Sequence, residues 1–128
     1  MEAPLLNTLS THLLIELKDC DKRLLNDLNG VREVLIETSK IMGVTIVGET
    51  FHRFSPHGVT GVLAIAESHI CIHTWPEHNY AAVDIFTCGI NGNAQKGAAY
   101  LVSRFQSQEP QIKVIERGLT TNPSITVH

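Results

Sequence analysis

The sequence predicts an α+β fold, a two-layer sandwich in which two helices cover one face of a mainly antiparallel sheet. Four apolar or β-branched stretches follow one another between residues 44 and 88, with only short turns between them. Strands joined by such short turns pair antiparallel. Only two stretches show helical spacing of apolar residues, which is too few helices to cover both faces of a sheet of five or six strands.

The first half of the chain begins with a strand predicted at residues 12–17, followed by a polar segment with room for a short turn of helix. The first long helix is predicted from Val31, because core-type residues recur at positions 31, 34, 35, 38, 41 and 42. We expect Asn29 to cap this helix and Gly43 to end it. Strands follow at residues 44–54 and 59–66. The second of these is continuously apolar, which indicates burial on both faces.

The second half contains strands predicted at residues 70–75 and 80–88, and then a turn at residues 89–92. The second helical stripe has Asn93 as its candidate cap and comprises Ala94, Ala98, Leu101, Val102 and Phe105. A last strand at residues 111–117 precedes a loose tail. The element order is therefore β-α-β-β-β-β-α-β. The sheet face without helices needs a cover, and a second copy of the chain is the simplest one, so we expect a homodimer.

Composition restricts the class of protein. A chain of 128 residues is one domain by length, 1–128, and its net charge of −3 gives no reason to expect nucleic acid or an anionic membrane as partner. Its three cysteines show no CxxC spacing, which indicates free thiols in a reducing compartment. The sequence shows neither a signal peptide nor a long apolar stretch, so a cytoplasmic location is expected.

Ser68 lies where one apolar run ends and the next begins, directly after Glu67. A serine at such a place is ordinarily a simple turn residue. It can also attack its own backbone, provided that the preceding peptide is strained and its oxygen is held by hydrogen-bond donors. A tight turn between two buried strands is a place where such strain can be sustained.

The strand after Ser68 carries His69, Cys71 and His73 at alternate positions, so all three side chains lie on one face. With Glu77 as a fourth group they could bind zinc, although three alternating ligands on one strand are a weak pattern. Histidines and cysteines placed in this way are more often part of a core. Cys88, at the end of its strand, is predicted to lie on the sheet face that the helices leave uncovered.

Three segments at these separations carry a specific resemblance: Glu-Ser-His at 67–69, His-Thr-Trp-Pro-Glu at 73–77 and Phe-Thr-Cys-Gly at 86–89. Together with the rest of residues 51–89, they resemble the short prokaryotic S-adenosylmethionine decarboxylases, a pyruvoyl-dependent family of polyamine synthesis. The flanking elements follow in compatible order to about residue 118.

The resemblance implies that the chain cuts itself. Ser68 would attack the carbonyl of Glu67, and His73 would remove the Ser68 α-proton, leaving a covalent pyruvoyl group as the cofactor. Residues 1–67 would become the β chain and residues 68–128 the α chain. Because Ser68 and His73 are five residues apart, a straight strand would place them on opposite faces. We therefore expect the turn at Ser68 to break the alternation.

The resemblance also assigns roles in catalysis. The pyruvoyl group would form a Schiff base with the substrate amine and accept the electrons left by carbon dioxide. Cys88 would then protonate the former α-carbon, and Thr60 would assist processing. Phe54 would stack on the adenine ring and Glu77 would hold the ribose hydroxyls.

The predicted function is a self-processing decarboxylase that converts S-adenosylmethionine to decarboxylated S-adenosylmethionine, the aminopropyl donor for spermidine. It would act as a homodimer of processed protomers, without a metal ion. An arginine or ornithine decarboxylase on the same scaffold is the first alternative. An unprocessed metal- or ligand-binding module that uses His69, Cys71, His73 and Glu77 is the second.

Overall fold

The computed structural model describes residues 8–88 and 93–119, which contain a six-stranded sheet with two long helices on one face. The strands are β1 Thr8–Lys18, β2 Ile46–Arg53, β3 Val59–Ile65, β4 Ser68–Trp75, β5 Tyr80–Cys88 and β6 Glu109–Leu119. The helices are the short α1 Lys22–Leu25 and the long α2 Leu28–Met42 and α3 Asn93–Arg104. A single 3₁₀ turn, Pro76–His78, follows β4. The predicted turn at 89–92 and the tail beyond 119 lie outside the described residues.

The strand order is β2-β3-β4-β5-β1-β6, and every neighbouring pair is antiparallel. The meander β2 to β5 follows chain order, because each connection is too short to cross over the sheet. β1 pairs with β5 on one side and with β6 on the other, so the first and last described strands are neighbours in the sheet. The predicted α+β sandwich is thus confirmed.

The core lies between the helices and one face of the sheet. Alternate residues of the central strands are fully buried there, among them Leu13, Ile15, Leu17, Leu63, Ile70, Ile72, Val83 and Ile85. The helices contribute the buried residues Val31, Leu35, Met42, Ala98 and Leu101. Helix α3 lies very close to α2 at Gly97, where an added Cβ would be 3.0 Å from Met42 Cγ. Burial of this single apolar stripe per helix drives the two-layer packing.

The ends of the helices differ in detail from the prediction. Gly43 does end α2 in the left-handed conformation, with φ of 72°. The N-cap of α2 is Asp27 and not Asn29, since the Asp27 carboxylate accepts from Gly30 N–H at 3.1 Å. Asn93 is the first residue of α3, and its side chain donates to Met42 O at 3.3 Å. Asn26, Asp27 and Asn29 all lie at the start of α2, so the sequence alone does not single out its cap.

The outer face, which we define as the sheet face away from the helices, has no cover among residues 8–88 and 93–119. In β3 only Val59, Gly61, Leu63 and Ile65 are buried, while the residues between them are partly exposed. The prediction that this strand is buried on both faces is therefore wrong for the single chain. Both long helices pack on the other side. None of the helices in the described residues is long and apolar enough to cross a membrane.

Thr74 of β4 connects its own strand to α1 and β3 by hydrogen bonds. Its buried Oγ1 donates to Leu25 O of α1 and accepts from Val59 N–H of β3, both at 2.8 Å. It therefore fixes the end of β4, and the 3₁₀ turn after it, against α1 and the start of β3. Loss of this hydroxyl would leave two buried backbone groups without partners.

We expect Thr74→Val to lower the free energy of unfolding by about 1–3 kcal/mol, the cost of leaving buried polar groups unsatisfied. Denaturant unfolding at a fixed protein concentration measures this, in a chain that also carries Ser68→Ala so that it stays one polypeptide. The matched control is Thr50→Val, at an exposed position of β2. Equal stability of the two valine variants would contradict the structural role of Thr74.

Candidate active site

The turn between β3 and β4 is strained. It has two residues, Ala66 and Glu67, and places Ile65 directly opposite Ser68. Glu67 has φ of 64°, in the left-handed region. For a residue other than glycine this costs on the order of 1–3 kcal/mol, and the surrounding structure must hold it in place. Here Ala66 N–H donates to Thr45 O at 2.8 Å, and the paired strands fix both ends. The peptide before Ser68 is thus held in an unfavourable conformation.

Two side chains converge on the carbonyl oxygen of Glu67. Ser68 Oγ donates to it at 2.6 Å, and Cys88 Sγ contacts it at 3.0 Å. The two side-chain atoms are 4.0 Å apart. The pairing of β4 with β5, in which His69 lies opposite Phe86, brings Cys88 to this end of β4. We call Glu67, Ser68 and Cys88 the cleavage cluster.

The chemistry of the cleavage cluster follows from these contacts. If the Ser68 hydroxyl adds to the Glu67 carbonyl carbon, the carbonyl oxygen becomes an oxyanion. A donor already in place at that oxygen stabilises the developing charge without rearrangement. The Cys88 thiol is such a donor. The arrangement is therefore suited to attack by Ser68 on its own preceding peptide.

The second group of predicted residues lies on the outer face. Thr60 of β3 pairs with His73 of β4, and Thr60 Oγ1 is 3.1 Å from His73 Nδ1. This contact orients the imidazole ring and leaves its Nε2 edge available. The His73 side chain is exposed, with the Trp75 ring centroid at 6.4 Å. We call Thr60 and His73 the His73 pair.

The cleavage cluster and the His73 pair do not meet within one chain. β4 is a regular strand from Ser68 to Trp75, so the turn ends before Ser68 and the alternation runs unbroken. The expectation that the turn would bring Ser68 and His73 to one face is wrong. Five residues of strand separate them by about 17 Å along β4, on opposite faces. His73 therefore cannot reach the α-proton of Ser68 in its own chain.

The two predicted substrate residues lie near the end of the sheet where β4 finishes. Phe54 follows β2 and is 49% exposed, with the His52 ring edge-on at a centroid distance of 4.5 Å. Glu77 lies in the 3₁₀ turn after β4. Its Oε1 is 3.2 Å from Nε2 of His57, for which the sequence alone predicts no role. Two short loops at one end of the sheet thus present an open aromatic ring and a carboxylate.

The zinc alternative gains no support from the structure. Across residues 8–88 and 93–119, no group of three or more His, Cys, Asp or Glu side chains could hold a metal ion. His69 stacks on Phe86 with ring centroids 5.4 Å apart. Burial, followed by the nearby Asp84 carboxylate, raises the pKa of Cys71, which disfavours the thiolate that a metal needs.

The outer face carries polar groups as well as the His73 pair. A depression of about 750 Å³ is lined by residues that include Glu16, Asp84 and Ala82, the last of which pairs with His73 across the strands. The Tyr80 hydroxyl donates to the Glu16 carboxylate, and burial together with this contact raises the pKa of Tyr80 to about 12.

His12 lies on the same face, and burial lowers its pKa despite the opposing effect of Asp84. Its buried Nε2 is 3.9 Å from Asp84 Oδ1, too far for a hydrogen bond. This face thus combines partly buried polar groups with an uncovered surface.

Comparison with known proteins agrees with these features. The family model described as S-adenosylmethionine decarboxylase matches residues 11–118. A protein of Thermodesulfovibrio yellowstonii named S-adenosylmethionine decarboxylase proenzyme is 45% identical over 114 residues, covering 89% of this chain and 84% of that protein. A protein of the same name from Acetivibrio thermocellus is 41% identical over 118 residues, covering 92% of this chain and 95% of that protein.

A solved structure gives the same result for the fold. The crystal structure of the adenosylmethionine decarboxylase from Aquifex aeolicus superposes with a TM-score of 0.85 at 34% identity, covering 93% of this chain and 98% of that one. The strained Glu67–Ser68 turn, the order of the strands and these similarities agree, and the chain belongs to the S-adenosylmethionine decarboxylase family.

Proposed function

We propose that this protein decarboxylates S-adenosylmethionine, using a pyruvoyl group that it makes from Ser68 by self-cleavage. The observation that carries the proposal is the convergence of Ser68 Oγ and Cys88 Sγ on the Glu67 carbonyl oxygen, at a turn where Glu67 has positive φ. A two-residue hairpin itself favours positive φ in its turn, but it does not require a serine hydroxyl and a thiol at the same carbonyl oxygen. Membership in a family whose relatives are named proenzymes supports it.

The cleavage reaction can be written from these residues. Ser68 Oγ displaces the Ser68 nitrogen from the Glu67 carbonyl carbon, which turns the peptide into an ester and relieves the strain of the turn. Removal of the Ser68 α-proton then expels Glu67 as a carboxylate and leaves dehydroalanine. Water replaces the nitrogen of that residue, ammonia leaves, and residues 68–128 begin with a pyruvoyl group. The resulting chains would be 1–67 and 68–128.

The base for the α-proton comes from a second copy of the chain in this proposal. His73 is about 17 Å along the strand from Ser68 in its own chain and faces the other side of the sheet. Among residues 8–88 and 93–119, nothing covers the outer face that carries it. Cys88 alternates with the buried residues of β5, so the cleavage cluster adjoins the outer face through this side chain. If two copies stack their outer faces about a twofold axis, the His73 pair of each can therefore approach the cleavage cluster of the other. The homodimer would then hold two sites, each built from both copies.

In catalysis, proton transfer falls to Cys88 of the cleavage cluster, and substrate binding falls to Phe54 and Glu77. The pyruvoyl group supplies the electron sink for loss of carbon dioxide. Cys88, already beside Ser68, is placed to deliver a proton to the substrate carbon. Phe54 is open for stacking on adenine, and Glu77 can accept hydrogen bonds from ribose hydroxyls. An arginine or ornithine substrate has neither adenine nor ribose, so these two residues favour the nucleoside.

Self-cleavage in trans is testable by complementation. We expect Ser68→Ala to remain one uncut chain, because the nucleophile is missing. We expect His73→Ala to remain uncut alone but to be cut when co-expressed with Ser68→Ala, since the mixed dimer joins an intact Ser68 to an intact His73. Tags of different size distinguish the chains on a denaturing gel. Intact mass should show the α fragment short of one ammonia relative to a fragment that begins with serine.

Purification through both tags in turn isolates the mixed dimers and serves as the control for assembly. The Ser68→Ala chain should stay intact in them. Cutting of His73→Ala in the absence of a partner would contradict a role for His73. Intact His73→Ala chains in isolated mixed dimers would contradict the shared site.

Cys88 should affect both cleavage and turnover. Cys88→Ala removes the donor at the Glu67 oxygen, and we expect cleavage to slow by about tenfold or more, since oxyanion donors contribute at least this much. Cys88→Ser keeps a donor and should cleave, but turnover per pyruvoyl group should fall by about a hundredfold or more, the scale of losing a general acid. Gel densitometry measures the first effect and carbon dioxide release the second. Cleavage of Cys88→Ala at the wild-type rate would rule out the oxyanion role.

Substrate choice should depend on Phe54. Base–aromatic stacking contributes about 1–3 kcal/mol, so Phe54→Ala should lower kcat/KM for S-adenosylmethionine roughly tenfold to a hundredfold. Self-cleavage should be intact, because Phe54 lies away from the cleavage cluster. Glu77→Gln should weaken substrate binding as well. Carbon dioxide release from S-adenosylmethionine, arginine and ornithine is measured side by side. Preference for a basic amino acid, unaffected by either substitution, would overturn the substrate assignment and leave the self-cleavage standing.

A further inference from the structure

We infer that His57 is a positioning residue that holds the Glu77 carboxylate in the orientation needed to bind the substrate ribose. The inference rests on the proposed function, because Glu77 has this role only if the substrate is a nucleoside. The geometry that carries it is the contact between His57 Nε2 and Glu77 Oε1 at 3.2 Å, made by two side chains that are 37% and 41% exposed.

The loop that carries His57 is itself held in place. It joins β2 to β3 and is closed by Phe54 N–H, which donates to Gly58 O at 2.8 Å. Gly58 N–H donates to Asn26 Oδ1 at 3.0 Å. Gly58 has φ of 111°, and an added Cβ would lie 3.2 Å from Thr74 O, so glycine is required where the loop passes β4. The loop thus places His57 beside the 3₁₀ turn.

Glu77 needs such a contact. It lies on a single 3₁₀ turn, and its carboxylate makes no other hydrogen bond or ion pair with residues 8–88 or 93–119. A glutamate with three rotatable bonds at such a site samples several rotamers, and binding a ligand must then fix one of them. His57 fixes one carboxylate oxygen in advance and leaves the other oxygen without a hydrogen-bond partner among the described residues. The imidazole Nε2–H can donate whether the ring is neutral or protonated.

The same loop links the two parts of the substrate site. Phe54 begins the loop and His57 lies near its end. One closed loop therefore positions both the Phe54 ring, on which adenine would stack, and the Glu77 carboxylate. A depression of about 370 Å³ adjoins the pair and is lined by Asn26, His57, Pro76 and Glu77 together with Lys22 and Arg23. Among these lining residues, His57 is the one that contacts the Glu77 carboxylate.

The test compares His57→Ala with His78→Ala in the self-cleaved enzyme. His78 is exposed on the same 3₁₀ turn, which makes it a matched control. We expect His57→Ala to raise KM for S-adenosylmethionine roughly threefold to tenfold, the scale of ordering one flexible side chain, with kcat changed less than twofold. His57→Gln, whose amide can donate to Glu77, should recover part of the loss. His78→Ala should keep the wild-type KM.

A second measurement separates positioning of Glu77 from a general disturbance of the loop. Calorimetry follows binding of 5′-methylthioadenosine and of its 2′,3′-dideoxy analogue. His57→Ala should weaken binding of the first and leave binding of the second unchanged. In a Glu77→Gln background, His57→Ala should have no further effect on KM, since the residue through which it acts is already altered.

The outcomes also distinguish this inference from the proposed function. Wild-type enzyme that decarboxylates S-adenosylmethionine, with an unchanged KM in His57→Ala, overturns the inference alone. Equal losses in His57→Ala and His78→Ala, or equal weakening of both nucleosides, show a structural effect and also overturn it. A wild-type protein that neither decarboxylates S-adenosylmethionine nor binds 5′-methylthioadenosine overturns both.

Discussion

The register of the β3–β4 hairpin is the constraint on which the site depends. A turn of only two residues, Ala66 and Glu67, sets Ile65 opposite Ser68, and a slip by one residue would move every side chain of β4 to the other face. In this register Ile70 and Ile72 enter the core, so burial of their side chains holds the hairpin. The same burial maintains the positive φ of Glu67. The core thus stabilises a peptide conformation that would be unfavourable in an isolated hairpin, and the cleavage cluster is built on that peptide.

The regularity of β4 also explains why one chain is not sufficient in our proposal. A sheet packed against two helices is stiff, and no bulge or kink interrupts β4 between Ser68 and His73. Ser68 and His73, the proposed nucleophile and base, are therefore fixed at a distance that local motion cannot close. Stacking of two outer faces would satisfy this geometry and would also cover polar groups such as His12 and Glu16. Self-cleavage would then require assembly of the dimer, so an isolated chain would stay uncut.

The residues that we propose to recognise the substrate lie apart from this strained region. The Phe54 loop and the 3₁₀ turn with Glu77 lie where β4 ends, held by hydrogen bonds through Asn26 and Thr74. The strain at Glu67 and the packing of these loops are thus independent features of one sheet. Such a division allows the loops to vary in specificity while the cleavage chemistry stays unchanged.

The sequence by itself determined the element order, the antiparallel sheet with helices on one face, and the family, because apolar periodicity and three short motifs are local properties of the chain. It also indicated that His69, Cys71 and His73 share a face. Only the tertiary structure decided that Cys88 contacts the Glu67 carbonyl, that Asp27 caps α2, and that His57 meets Glu77. These contacts join residues from different elements or depend on the packing of a helix end. The tertiary structure also decided that β4 is regular, which keeps Ser68 away from His73. The position of the turn follows from pairing with β3 and from burial in the core, and no local sequence pattern encodes either.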